Sequence, residues 1–261
     1  MTGAVITDAL FVADGDRFVP TVHARGPWDP GALHGGPPAA LAARAVERVG
    51  SDAPMAVARL TVELLRPVPM RPLSLSTRTV RPGRKVQLVE ATLRDGDVEV
   101  CRAVALRLRV LTAGGAAGDL PAAPPGPHTG VAEIGHGEGE GFHRTGVEFR
   151  FVSGRFSAPG TATVWIRLRY PVVGGEAPSP LMRAVAAADF GNGVSAVLDW
   201  DRYSFINPDL TVYLHRQPVG EWICLAAGTR AEPGRGLAHC MLFDERGAIG
   251  HSLQALLVDA R

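Results

Sequence analysis

The sequence predicts an α+β fold built twice in one chain, as two curved antiparallel sheets that each wrap around one apolar helix. The first observation is an internal repeat. It is too long for a solenoid unit, so each copy is expected to be a whole small domain. The others are one Ala-rich helix in each half and, after it, a run of strands separated by tight turns. Three short segments recur 150 or 151 positions later: residues 60–62 at 210–212, 82–84 at 233–235 and 95–96 at 246–247.

The first half contains one helix between two groups of strands. Residues 10–24 predict one or two short strands around a turn at 14–16. Residues 37–49 predict the helix, because Pro37 and Pro38 fall in its first turn, where a missing N–H costs nothing. Apolar and polar residues then alternate over 58–64, which predicts a half-buried strand. Within a strand region from 55 to 110, further strands are predicted at 73–80, 86–93 and 98–111, divided by Pro-Gly and Asp-Gly turns.

The second half repeats this order. A helix is predicted at 181–190, and strands at 147–152, 163–170, 194–198, 210–214, 222–229, 236–243 and 249–258. A helix that is apolar almost all round must be buried on most faces. The economical arrangement is a curved antiparallel sheet around that helix, the hot-dog architecture, with the sheets of the two copies packed edge to edge.

The segment between the halves has a different composition. Residues 113–141 are rich in Gly, Ala and Pro and contain no aromatic residue, which predicts a flexible linker. Its glycine cluster at 135–139 superficially resembles a phosphate-binding loop. No strand is predicted before it and no helix after it, so that interpretation is rejected. The predicted domains are residues 1–112, a linker at 113–141, and residues 142–261, which carry the site.

The bulk composition excludes several classes of protein. The 261 residues are 46% hydrophobic and carry a net charge of +1, which gives no electrostatic case for binding nucleic acid or an anionic membrane surface. No apolar run reaches ~18 residues, and the N-terminus lacks the features of a signal peptide, so a cytoplasmic location is expected. The three cysteines form neither a disulfide framework nor a CxxC pair, and we expect buried thiols and no metal.

The two copies differ at polar positions that indicate where a site lies. Asp189 ends the apolar second helix, where a charge needs supporting hydrogen bonds unless the residue is an exposed cap. Asn207 takes the position of Val57, and Gln254 takes that of Ala103. Asn before proline is also a common turn residue, and Gln254 could face solvent. Two apolar positions have nevertheless become amides, as expected if only one repeat keeps a polar site.

Several motifs, in this order, resemble the type II acyl-CoA thioesterase family, the TesB-like double hot-dog enzymes, over nearly the whole chain. They are Gly-Gly at 35–36, Ala-Asp-Phe at 188–190, His-Arg at 215–216, Trp222, and Ser-Leu-Gln at 252–254. In that family an Asp, a Thr, Ser or Asn, and a Gln hold the hydrolytic water. The resemblance therefore implies that Asp189, Asn207 and Gln254 are catalytic, with Asn207 standing where the best-known members have Thr.

The resemblance also implies a mechanism. Water would attack the thioester of an acyl-CoA directly, with Asp189 as general base, and would release a free acid and coenzyme A. Backbone N–H groups would stabilise the oxyanion, and the candidates are Gly35-Gly36 and Gly191-Asn192-Gly193. His34 would line the substrate site. No cofactor is implied, since coenzyme A enters only as part of the substrate. A monomer and a homodimer both stay open.

Two other functions stay open at this point. One is a hot-dog hydratase or dehydratase, in which His34 or His251 would act with a carboxylate. The other is a non-catalytic acyl-CoA binding protein, in which Asp189 is a helix cap. A Ser-His-Asp hydrolase is disfavoured because the sequence contains no G-x-S-x-G. Arg59 and Arg66, near the domain junction, are candidates for contacts with the phosphates of coenzyme A.

Overall fold

The computed structural model describes residues 8–111, 118 and 120–261, which form one long antiparallel sheet and two main helices. The first half contains β1 (Phe11–Asp14), β2 (Arg17–Pro20), α1 (Gly36–Glu47), β3 (Met55–Leu64), β4 (Leu73–Arg81), β5 (Val86–Asp95) and β6 (Val98–Arg109). The second half contains β7 (Val131–Glu133), β8 (Val147–Arg155), β9 (Ala158–Leu168), α2 (Pro180–Ala188), α3 (Gly191–Val194), β10 (Tyr203–Ile206), β11 (Asp209–Leu214), β12 (Ile223–Glu232), β13 (Gly234–Asp244) and β14 (Gly247–Ala260). Short 3-10 turns cover Val22–Ala24 and Pro127–Thr129, and a π-helical turn covers Phe142–Gly146.

Two local predictions are wrong. The predicted strand at 194–198 is absent, because α3 continues the helical path after α2 and the Ser195 hydroxyl closes it by donating to the carbonyl of Gly191 at 2.8 Å. The predicted linker contains β7, which pairs with β8, so a short strand does precede the glycine cluster at 135–139. Residues 1–7 and 112 of the predicted N-terminal domain, and residues 113–117 and 119 of the predicted linker, lie outside the described residues.

The two predicted sheets are joined into one. Its strand order is β1-β2-β4-β5-β6-β3-β11-β14-β13-β12-β9-β8-β7, with β10 pairing to β14. The halves meet where β3 pairs antiparallel with β11. Thr61 lies opposite Thr211 there, with 3.3 Å between the hydroxyl oxygens, and these two residues are partners in the internal repeat. The two halves therefore meet edge to edge, as predicted, and backbone pairing at this seam makes one continuous sheet where two were predicted. The pairing of equivalent residues, Thr61 with Thr211, indicates a local two-fold axis at the seam.

The two helices pack against the sheet and against each other. α1 covers β3 to β6, whereas α2 covers β9, β11, β12 and β13. Nearly all their residues are buried, as their apolar surfaces predict. The helices run antiparallel: Gly35, the N-cap of α1, lies beside Asp189 at the end of α2. At the other end Ser179, the N-cap of α2, donates to the carboxylate of Glu47 at 2.5 Å.

The cysteines are free and buried at residues 101, 224 and 240. Burial raises the pKa of each thiol to about 12, so the reactive thiolate is disfavoured at neutral pH. Within the described part of the chain, no helix has both the length and the apolar character needed to cross a membrane.

Candidate active site

Asp189 lies at the C-terminal cap of α2 and is only 4% exposed. A carboxylate at a helix C-terminus among apolar neighbours is costly unless other groups compensate. The start of α1 offsets part of this cost. Gly35 lies against the carboxylate, and the positive end of the α1 dipole points toward it. A Cβ atom on Gly35 would come within 2.8 Å of Asp189 Oδ2, so this close approach requires glycine.

Two amides bind the other carboxylate oxygen. Asn207 Nδ2 donates to Asp189 Oδ1 at 2.8 Å, and Gln254 Nε2 lies 3.3 Å from the same oxygen. Gln254 Nε2 also donates to the backbone carbonyl of Asp189 at 3.1 Å. The N–H of Asn192 donates to Gln254 Oε1 at 3.1 Å, which orients the amide so that its Nε2 faces Asp189. The structure thus brings the three predicted residues together around one oxygen.

Different elements position these amides. Asn207 lies in the bend between β10 and β11, and its Nδ2 also donates to the carbonyl of Asp209 at 3.2 Å. Gln254 lies on the inner face of β14, where buried and exposed residues alternate from 251 to 258. His251 is exposed on the opposite face of that strand, so it is excluded as a partner of Asp189.

Oδ2 of Asp189 has a different environment from Oδ1. It lies 2.7 Å from Nδ1 of His34, an ion-pair distance, but no described residue makes a well-aligned hydrogen bond to it. The N–H of Gly36 points to the same Nδ1 at 3.2 Å. The two contacts compete, because Nδ1 accepts from Gly36 only when it carries no proton and donates to Asp189 only when it does. His34 Nδ1 can therefore make only one of these two contacts at a time.

Aromatic rings surround His34, on the Oδ2 side of the candidate site. The His34 ring lies 4.6 Å from Phe190 and 5.2 Å from Phe142, measured between ring centroids. The two phenylalanine rings stack on each other at 5.2 Å. Apolar walls exclude water and strengthen the electrostatic interactions of the few polar groups inside them.

The other predicted glycines also sit at close approaches. A Cβ atom on Gly36 would lie 2.9 Å from the carbonyl of Ala186, where α1 crosses α2. A Cβ atom on Gly191 would lie 2.7 Å from Cys240 Sγ and 2.9 Å from Gln254 Oε1. Both glycines thus border the site, although only Gly36 has an N–H in contact with a predicted site residue.

Sequence reasoning named Asn192 only for its backbone N–H and missed the contacts of its side chain. This residue is 6% exposed, and its Nδ2 donates to the carbonyl of Phe205 at 2.8 Å, just before Asn207. Its Oδ1 is buried without a described partner. The one available signal is its place between two glycines directly after Asp189, a pattern that is equally typical of a loop. Of the two arginines proposed for coenzyme A, Arg59 lies on β3 at the seam and Arg66 is exposed after that strand.

Comparisons with known proteins agree with this architecture. A candidate thioesterase II from Thermobifida fusca superposes with a TM-score of 0.75 at 21% identity, covering 99% of both chains. A conserved protein of unknown function with a hot-dog fold, from Alicyclobacillus acidocaldarius, has the same TM-score and coverage at 16% identity. An acyl-CoA thioesterase II from Mycobacterium marinum has a TM-score of 0.64 at 17% identity, covering 92% of this chain and 97% of its own. At these identities the likeness establishes the hot-dog fold.

The sequence itself identifies the family. No curated protein sequence matches the chain. Family models for the N-terminal and C-terminal domains of acyl-CoA thioesterases match residues 24–108 and 117–258, respectively. The chain therefore belongs to the acyl-CoA thioesterase family and is a thioesterase.

Proposed function

We propose that the protein hydrolyses an acyl-CoA to a free acid and coenzyme A by direct attack of a water that Asp189 activates. The observation that carries this proposal is the unequal environment of the two carboxylate oxygens. Oδ1 is held by Asn207 and Gln254, whereas Oδ2 receives no hydrogen bond from the described residues. Oδ2 is therefore available to accept a hydrogen bond from a water and to take its proton.

The reaction then needs no covalent nucleophile. The water oxygen attacks the thioester carbonyl carbon while its proton passes to Asp189. The tetrahedral intermediate collapses with breakage of the C–S bond, and the thiolate leaving group is protonated as the base is restored. Asn207 and Gln254 contact the carboxylate itself, so their first task is to orient the base, and orientation of the water follows from that.

The developing oxyanion needs a donor near the start of α1. The N–H of Gly36 lies at the positive end of this helix and contacts His34 Nδ1 at 3.2 Å. When the thioester carbonyl takes that N–H, His34 Nδ1 loses its donor. A shift of the ring proton from Nε2 to Nδ1 then lets His34 donate to Asp189 Oδ2, 2.7 Å away. The competing contacts of His34 thus couple carbonyl binding to the environment of the base.

The site combines both halves of the chain. His34 and Gly35 come from the first half, and Asp189 comes from the second. We propose that residues 1–112 and 142–261 are two hot-dog units joined by the segment 113–141, in a double hot-dog arrangement. A second copy of the chain is then not needed to complete the site.

A second reaction is favoured by one observation. The His34–Asp189 pair, at 2.7 Å, could also transfer protons in the addition of water to the double bond of an enoyl-CoA. Hydration would need the imidazole as a catalytic group. In hydrolysis by the mechanism above, His34 transfers no proton to or from the substrate. It only contacts either the N–H of Gly36 or the carboxylate of Asp189.

One experiment distinguishes the two reactions. Free-thiol release is measured with acyl-CoAs from acetyl to palmitoyl and with benzoyl-CoA, and loss of the conjugated enoyl absorbance is measured with crotonyl-CoA. We expect thiol release from the native chain and from His34→Ala, the variant within roughly tenfold of native. Absorbance loss without thiol release, abolished in His34→Ala, would instead establish hydration. The panel also identifies the preferred acyl group.

The glycine at the start of α1 offers a sharp test of the base. In Gly35→Ala the new methyl group would meet the carboxylate of Asp189 and displace it. A misplacement of ~1 Å in catalytic geometry costs on the order of 10²-fold, so kcat for thiol release should fall by about that factor. Gly50→Ala is the matched control, because nothing lies within 4 Å of its Cβ position. A native kcat in Gly35→Ala would argue against Asp189 as the base.

A further inference from the structure

A cleft of about 220 Å³ lies at the opposite end of the helix pair from Asp189. The end of β9, the loop before α2 and the first turn of α2 line it. The charged residues of its lining are Arg167, Arg169, Arg183, Glu176 and Glu221. At 1.5 Å of rise per helical residue, the start of α2 is roughly 15 Å from Asp189, so this arginine cleft is separate from the candidate active site.

The arginine cleft lies beside the start of α2, at the end of the helix pair that corresponds in the internal repeat to the Asp189 end. At each end of the antiparallel pair, the N-cap of one helix meets a carboxylate near the end of the other. Gly35 meets Asp189 at one end, and Ser179 meets Glu47 at the other. The amides that hold Asp189 have apolar partners in the first repeat, Val57 and Ala103. This second end therefore lacks the amides proposed for hydrolysis and keeps an open cleft.

The carboxylates at the cleft are already neutralised by arginines. Arg167 pairs with Glu148 at 2.7 Å and with Glu221 at 3.4 Å. Glu176 is held by Arg44 and Arg48 of the α1 end, at 2.6 and 2.7 Å. These pairs fix the walls of the cleft and leave its remaining arginines uncompensated.

Arg169 and Arg183 make no ion pair with any described residue. Arg169 Nε donates to the carbonyl of Val147 at 3.0 Å, and Arg183 Nη1 donates to the carbonyl of Gly220 at 3.1 Å. Each guanidinium has five N–H donors, so one backbone bond anchors it and leaves several for a ligand. Anchored guanidinium groups lose little freedom when they bind, and their planar fork matches phosphate oxygens.

We propose that the arginine cleft binds the phosphate groups of an organic phosphate at a site distinct from Asp189. Two uncompensated guanidinium groups in a preformed cleft suit a diphosphate. The volume of the cleft suits a diphosphate together with part of a nucleoside, rather than a whole coenzyme A molecule. The source is either the nucleotide end of coenzyme A or a free nucleotide. The proposal does not depend on the chemistry at Asp189, because binding here requires no thioester.

Calorimetric titration of the full chain tests this proposal, with pyrophosphate, ADP and coenzyme A as probes. Losing a guanidinium–phosphate contact should weaken binding about tenfold, so Arg169→Ala with Arg183→Ala should weaken pyrophosphate binding at least that much. Arg84→Ala with Arg155→Ala, at exposed positions elsewhere, should leave it unchanged. Asp189→Asn should also leave it unchanged, whether or not that variant hydrolyses thioesters.

A single charge-reversal variant tests the proposal independently, in case the double variant misfolds. Arg169 is exposed, so Arg169→Glu should abolish binding while the Tm stays native. Tighter binding of coenzyme A than of ADP, if the difference is lost in Arg169→Glu, would identify the coenzyme as the source. Equal binding that Arg169→Glu also abolishes would identify any nucleotide diphosphate. Absence of pyrophosphate binding, or binding that survives Arg169→Glu, would overturn the proposal.

Discussion

Replacing Asp189 by Asn should reduce thiol release from acyl-CoA by about 10²–10⁴-fold, the usual contribution of a general base. Asn has the shape of Asp, and its carbonyl oxygen can still accept from Asn207 and Gln254. Its amide nitrogen at the position of Oδ2 cannot take a proton from water. The loss should therefore fall on kcat, with the fold and substrate affinity preserved.

Single-turnover thiol release and equilibrium binding of a thioether analogue separate these effects. Asp97→Asn is a suitable control, because Asp97 is exposed in the turn between β5 and β6. We expect the control to hydrolyse at the native rate, and Asp189→Asn to bind the analogue with native affinity. Native hydrolysis by Asp189→Asn would remove Asp189 from the mechanism.

Replacing Asp244 by Ala should destabilise the fold strongly, because it leaves the Arg216 guanidinium without its partner. Asp244 is fully buried and accepts from both terminal nitrogens of Arg216, at 2.5 and 2.6 Å. It also accepts from the backbone N–H groups of Val219 at 2.8 Å and Arg246 at 2.9 Å. Breaking a buried pair costs about 3–5 kcal/mol, and the partial exposure of Arg216 favours the lower end, about 3 kcal/mol.

Urea unfolding of the native chain and Asp244→Ala measures this difference. The control is Glu232→Ala, which removes an exposed ion pair with Arg235 and should change the free energy of unfolding by less than about 0.5 kcal/mol. A loss below about 1 kcal/mol in Asp244→Ala would mean that the Arg216 pair does not hold β13 and the loop after β11 together.

The Asp244 carboxylate should also make the stability of the fold depend on pH. Burial acts to raise its pKa, but hydrogen bonds from Arg216 and from two backbone N–H groups outweigh burial and hold the pKa of Asp244 below its usual range. A carboxyl with a depressed folded pKa contributes stability above its unfolded pKa of about 3.9, and that stability is lost as the pH falls. Native stability should therefore decrease below about pH 4 more steeply than that of Asp244→Ala.

Much of the candidate site could be predicted from sequence because the repeat supplied an internal comparison. Asn207 and Gln254 were recognisable as amides at positions that are apolar in the other copy. Asp189 was recognisable as a charge at the end of an apolar helix. The side-chain contacts of Asn192 were not recognisable, because they depend on which backbone groups lie beside it, and a residue between two glycines gives no periodic signal.

The sequence by itself determined the two-copy organisation, both main helices and most strands, since these follow from local periodicity and turn chemistry. Only the tertiary structure decided that β3 and β11 pair into one sheet, because that pairing joins residues 150 positions apart. It also decided that the start of α1 meets Asp189, with His34 at 2.7 Å, and that two uncompensated arginines face a cleft at the other end. Such contacts depend on how the helices cross, and a crossing is set by packing over the whole core rather than by any local run of residues.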